Sequence, residues 1–100
     1  MSEVTDRKLH LDAETEHALM NRLSRLEGQV RGIKRMVTER QACEDVLVQV
    51  AALRQAVTAV AVQLLEAHAE RCVTRCAQTG DGRSALASLR AALSRVIKHA

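Results

Sequence analysis

The chain has 100 residues, 47% of them apolar, a net charge of +3, four Gly, and no Pro, Phe, Trp or Tyr. That length allows one small domain with an aliphatic core, and the abundance of Ala, Leu, Arg and Glu points to an all-α protein. No apolar run reads as a bilayer span, no signal-peptide core is present, and the odd count of three Cys argues against a purely intrachain disulfide framework, so the expectation is a cytoplasmic protein with no membrane partner.

Charge is spread unevenly. Residues 1–20 carry net −3, residues 21–40 net +4, and residues 41–100 net +2. The dense basic stretch reads either as a surface for a phosphate-bearing partner or as a solvated helix face.

Residues 1–12 are expected to form a flexible polar tail, and residues 13–100 a single helical domain. His10 and His17, in or beside the tail, are either extra ligands or solvated side chains. The first helix should run from about Asp12, its cap, to about Arg40. Leu19, Leu23, Leu26, Val30, Ile33 and Val37 recur at alternating spacings of four and three residues, a single apolar seam of the kind that packs in a bundle. Arg22 and Arg25 flank one side of the seam, and Arg31 and Arg35 fall on the far side. Gly28 and Gly32 lie one turn apart on the exposed face, where each costs about 1 kcal/mol relative to Ala; a closely approaching helix or phosphate would account for them, as would tolerated local flexibility.

A break is expected over Thr38–Ala42, where the seam is lost and Glu44 and Asp45 suit a new helix start. The long helix should then run from Cys43 to about Gln78, with Val46, Leu47, Val50, Leu53, Val57, Val60, Leu64 and Leu65 as its apolar residues. Gly80 supplies a left-handed cap. Ser84 is the expected N-cap of a third helix reaching about His99, with Leu86, Leu89, Leu93, Val96 and Ile97 as one apolar stripe that folds back over the end of the long helix.

His68 and Cys72 stand four residues apart, so a helix puts them on one face, one turn apart, at metal-ligand spacing. Cys43 precedes His68 by 25 residues, roughly 37 Å along a continuous helix at about 1.5 Å per residue. One helix cannot bring all three groups to one ion, but two antiparallel copies can. Their crossing would fall near Ala56 and Val57, among Ala51, Ala52, Ala59 and Ala61. The expected assembly is an antiparallel helical dimer with a four-helix-bundle core and two equivalent sites. Cys76, one turn beyond Cys72, reads as an accessory thiol, a resolving cysteine or a small packed hydrophobe.

The stretches RLSRLEGQVRGIKRMV (Arg22 to Val37), CEDVLVQVAALRQAV (Cys43 to Val57), LLEAHAERCV (Leu64 to Val73) and TGDG (Thr79 to Gly82) resemble the copper-sensing operon repressors (CsoR-type), within a wider family of small all-helical metal-sensitive repressors. The resemblance implies Cu(I) held between protomers by Cys43, His68 and Cys72. It also implies operator DNA as partner and a homodimer or homotetramer, the latter a dimer of dimers. By the same resemblance Arg22 and Arg25, with Arg54 as a third candidate, contact DNA. Two thiolates and an imidazole make a soft trigonal set suited to Cu(I).

Two positions depart from the family pattern. Copper sensors of this family often place Tyr before the first Cys and Glu in the third helix, linked to the metal-binding His; here those places hold Ala42 and Ser88. Relatives that sense nickel or cobalt add an N-terminal His, near which His10 falls. Formaldehyde sensors carry an N-terminal Pro where this chain has Ser2, and persulfide sensors lack the His that is present here as His68.

The expected function is therefore a Cu(I)-responsive transcriptional repressor that binds its operator in the apo form and releases it when Cu(I) binds. The rivals are a persulfide-, oxidant- or Ni/Co-sensing repressor of the same family, and a copper-buffering protein without DNA binding. No nucleophile–base–orienter set points to an enzyme or to a small organic substrate.

Overall fold

The computed structural model of the chain describes residues 8–99. Within them three helices follow one another, α1 (Ala13–Thr38), α2 (Cys43–Thr79) and α3 (Gly82–Lys98), with no strand among the described residues. They belong to two compact units. One contains residues 16–63; the other combines residues 8–15 with residues 64–99. Residues 1–7 of the expected tail lie outside the described residues, and Leu9–Asp12 precede the first helix without helical structure.

Helix α1 starts as the sequence suggests. The Asp12 carboxylate accepts the Thr15 backbone N–H at 2.7 Å, satisfying one of the free donors of the first turn. That bond holds the Asp12 carboxyl below its ordinary range.

The break before Cys43 has a physical cause that no Gly or Pro announces. Arg40 adopts φ 56°, in the left-handed region. Its N–H reaches the Val37 carbonyl at 3.1 Å, and the Gln41 N–H reaches the Met36 carbonyl at 3.0 Å. These two bonds are the Schellman pair that closes a helix C-terminus, with Arg in the place Gly usually takes. The Ala42 carbonyl then accepts the Asp45 and Val46 N–H groups and starts α2, with Glu44 and Asp45 in its first turn.

In residues 16–63 the apolar seam divides in two. Leu19 is buried and Leu26 and Ile33 half-buried, whereas Leu23, Val30 and Val37 are exposed. The first half of α2 repeats the arrangement: Val60 is buried and Val46 and Leu53 half-buried, while Val50 and Val57 are exposed. Each helix thus covers one seven-residue repeat and leaves the other to solvent. Leu19, Val60 and Cys72 are the buried apolar side chains among the described residues.

The expectation that no apolar stretch reaches across a bilayer is corrected. By length and composition alone α2 is long and apolar enough to do so. Arg54 is the only charged residue between Asp45 and Glu66; the alanines and glutamines of this stretch interrupt the run of large apolar residues without lowering its average much.

Gly80 ends α2 as expected, at φ 74°, its N–H bonded to the Cys76 carbonyl at 2.8 Å. Helix α3 begins earlier than expected. Asp81, not Ser84, is the N-cap: its carboxylate accepts the Ser84 N–H at 3.0 Å, and Gly82 is already helical. The covered face of α3 also differs. Ala85, Ser88, Leu89 and Ala92 are half-buried, while Leu86, Leu93, Val96 and Ile97 are exposed. Apart from Leu89, small side chains line the covered face, and the other large apolar ones of the stripe remain uncovered.

Candidate metal centre

The last third of α2 and the middle of α3 lie in the same compact unit and meet at His68. Helical spacing brings the His68 ring, measured at Nε2, to 3.6 Å from the Cys72 Sγ, so the imidazole and the thiol are near enough to share one ion. Cys72 is 4% exposed, so α2 presents its thiol inward while the imidazole stands half-buried beside it.

Across from them, the Ser88 hydroxyl lies 3.1 Å from the His68 Nε2, and the Ser88 carbonyl 3.3 Å from it. The carbonyl only accepts, so it is satisfied when Nε2 carries the proton. With the proton on Nδ1, Nε2 accepts from the Ser88 hydroxyl instead. In either tautomer α3 has a hydrogen bond to this imidazole. In the sequence Ser88 reads only as a missing carboxylate. The signal available was its distance from the Gly80 turn, which brings residues on either side of the turn together.

Among the described residues no group of three His, Cys, Asp or Glu side chains converges to hold a metal. His68 and Cys72 supply two donors. Cys43 is exposed at the first residue of α2, in the compact unit that also carries Arg22, Arg25 and Arg54, all exposed. Cys76 is half-buried, and a Cβ built on Gly82 would stand 3.4 Å from its Sγ, so the first turn of α3 lies over this thiol. On the exposed face of α1, a Cβ on Gly32 would meet nothing within 4 Å, which leaves its backbone open to an approaching group.

His17 is exposed on α1, whereas His10 is half-buried. His10 lines a cavity of about 630 Å³ that His68, Cys72 and Ser88 also line. The solvated reading thus fits His17 and not His10.

Residues 15–99 match the sequence pattern of the family described as metal-sensitive transcriptional repressor. The chain belongs to that family. It is 44% identical over 80 residues to the copper-sensing transcriptional repressor CsoR of Bacillus subtilis (strain 168), covering 80% of this chain and 79% of that one. Its structure resembles that of the nickel-responsive transcriptional regulator InrS, with a TM-score of 0.78 at 43% identity, over 89% of this chain and 96% of the other. It also resembles the copper-sensing repressor CsoR from Geobacillus thermodenitrificans NG80-2, solved with Cu(I), with a TM-score of 0.76 at 37% identity, over 90% and 94% of the two chains. The three-helix, all-α expectation therefore agrees with both the helices observed and these relatives.

Proposed function

We propose that the chain is a cytoplasmic, Cu(I)-responsive repressor that binds operator DNA in the apo form and releases it on binding Cu(I). Each site takes Cys43 from one chain and His68 and Cys72 from another. The observation that carries this reading is the 3.6 Å approach of the His68 Nε2 and Cys72 Sγ in a chain where, among the described residues, no third ligand converges on them. Adding one thiolate from a second copy completes the soft two-sulfur, one-nitrogen set that suits Cu(I). The exposed repeats Leu23, Val30 and Val37 on α1 and Val50 and Val57 on α2 provide the apolar faces such a homodimer or homotetramer would bury.

Arg22, Arg25 and Arg54 are the DNA contacts in this reading, since they are exposed cations of one compact unit. Binding through phosphates makes the affinity fall steeply with salt. The signal to DNA runs through a change in helix packing at the metal end. Couplings of this kind are typically about 1–3 kcal/mol, or roughly 5–150-fold in affinity.

One observation favours a second reading within the family. His10 lines the cavity of His68 and Cys72, and two imidazoles with a thiolate make a set better suited to Ni(II) or Co(II) than two thiolates alone. Operator binding measured without effector and with Cu(I), Ni(II) or a persulfide separates the readings. Release by Cu(I) alone is expected. Release by Ni(II) or persulfide but not by Cu(I) would overturn the copper assignment, and no operator binding at all would leave a copper-buffering protein.

A further inference from the structure

The cavity beside His68 and Cys72 has a charge that a bare metal cation would not select. Lys8, Arg71, Arg75 and Arg95 line it, and among the described residues no Asp or Glu does. Arg71 and Arg95 are exposed on α2 and α3, and their side chains have no ion-pair or hydrogen-bond partner among the described residues. Asp12 and Glu70 line the neighbouring cavity, to which Arg71 and Arg75 also contribute, and not this one. Free Cu⁺ would be repelled from such a wall. Thiol-bound Cu(I) carries the charge of its thiolates and any carboxylates, so it is an anion and is drawn in. At about 630 Å³ the space is within the usual range of roughly 300–1,000 Å³ for small-molecule sites.

We propose that this cavity is an intake site for Cu(I) delivered as an anionic complex of a small thiol, which docks on Arg71 and Arg95 and passes the ion to Cys72. The proposal rests on the Cu(I) reading above. Transfer is a ligand exchange without redox change. The bond from Cu(I) to the donor sulfur breaks as the bond to the Cys72 Sγ forms, and the Cys72 thiol proton leaves with the departing donor thiolate. The cationic wall acts on the donor before exchange, so its effect belongs to the rate of loading and not to the final affinity.

The test compares two donors of opposite charge, the anionic Cu(I)–glutathione complex and the Cu(I)–acetonitrile cation. Each is mixed by stopped flow with the full apo-protein, wild type or Arg71→Gln/Arg95→Gln. Clefts of one sign raise association rates by about 10–1,000-fold. The double variant should therefore load at least about tenfold more slowly from glutathione and lose most of its salt dependence, with no slowing from acetonitrile. Final Cu(I) affinity should be the same in both proteins. Equal slowing with both donors, or with neither, would overturn the proposal. A metal-free arm separates this from failure of the copper reading: S-methylglutathione should shift amide resonances of wild-type apo-protein around Arg71 and Arg95. Those shifts should vanish in high salt and in the double variant; their absence from the wild type overturns anion docking whatever metal the protein binds.

Discussion

The Ser88 hydroxyl stands 3.1 Å from the His68 Nε2, so α3 reaches the imidazole through an uncharged side chain. A serine hydroxyl can orient a ring as donor or acceptor, but it lacks the charge with which a carboxylate strengthens such a bond. The neighbouring carbonyl of Ser88, at 3.3 Å, keeps a second acceptor in place whatever the side chain is.

Ser88→Ala should therefore lower the ratio of apo to Cu(I)-bound operator affinity more than it lowers Cu(I) affinity, because the two thiolates carry most of the metal bonding. Partners that orient metal ligands typically contribute about 10–100-fold. Ala42→Tyr with Ser88→Glu should widen the same ratio. Parallel Cu(I) titrations and operator-binding isotherms measure both quantities. Were the ratio identical in wild type and both variants, α3 would not carry the signal through this contact.

Arg40→Gly should stabilise the protein. The left-handed conformation costs an L-residue roughly 1 kcal/mol or more, and Gly adopts it without strain, though its freer unfolded chain takes back part of the gain. The Arg40 and Gln41 backbone bonds that close α1 do not involve the side chain. The variant should unfold at a higher denaturant concentration with an unchanged slope. A lower midpoint would mean that the arginine side chain does more than occupy the turn.

That turn also shows how far the sequence could be read. The loss of the seam after Val37 located the break, because a helix that no longer presents an apolar face has no reason to continue. The bonds that close it are backbone bonds, and Arg40 gives no compositional sign of them. At the other turn, Asp81 and Ser84 are equally good capping residues, and the observed choice adds an early turn to α3. The pairing of His68 with Cys72 was legible because it depends on one helix only. The contact with Ser88 depends on which face of α3 is covered, and there Ala85, Leu89 and Ala92 lie against the chain while Leu86 and Ile97 do not. The splitting of the seam into covered and exposed repeats was hidden for a similar reason, since Leu19 and Leu23 look alike until one of them has a neighbour.

Arg22→Ala and Arg25→Ala should each weaken operator binding and reduce the slope of log affinity against log salt by about one if each contacts one phosphate. Both side chains are exposed, and neither belongs to the covered repeat of Leu19 and Leu26, so helix content should hold. Circular dichroism verifies the fold, and fluorescence anisotropy over a salt series gives the slope. Wild-type affinity in both variants would put the DNA surface elsewhere.

The intersubunit arrangement makes a prediction that a site within one chain cannot satisfy. Cys43→Ala should abolish tight Cu(I) binding while leaving helix content unchanged, because Cys43 is exposed at the start of α2 and supports no core. His68→Ala/Cys72→Ala should also abolish it, by removing the two donors that stand 3.6 Å apart. In a mixed dimer of the two variants, the intact Cys43 of one chain meets the intact His68 and Cys72 of the other. The second site of that dimer lacks all three. Mixed, unfolded and refolded together, the two inactive proteins should therefore regain tight Cu(I) binding at one site per heterodimer, measured by competition with a chromophoric Cu(I) chelator. Neither protein refolded alone should regain any. Recovery tracking the heterodimer fraction, resolved by differential tagging, ties the restored sites to chains that share them. If the mixture binds no more tightly than its components, the three ligands do not come from two chains and the proposed site is wrong.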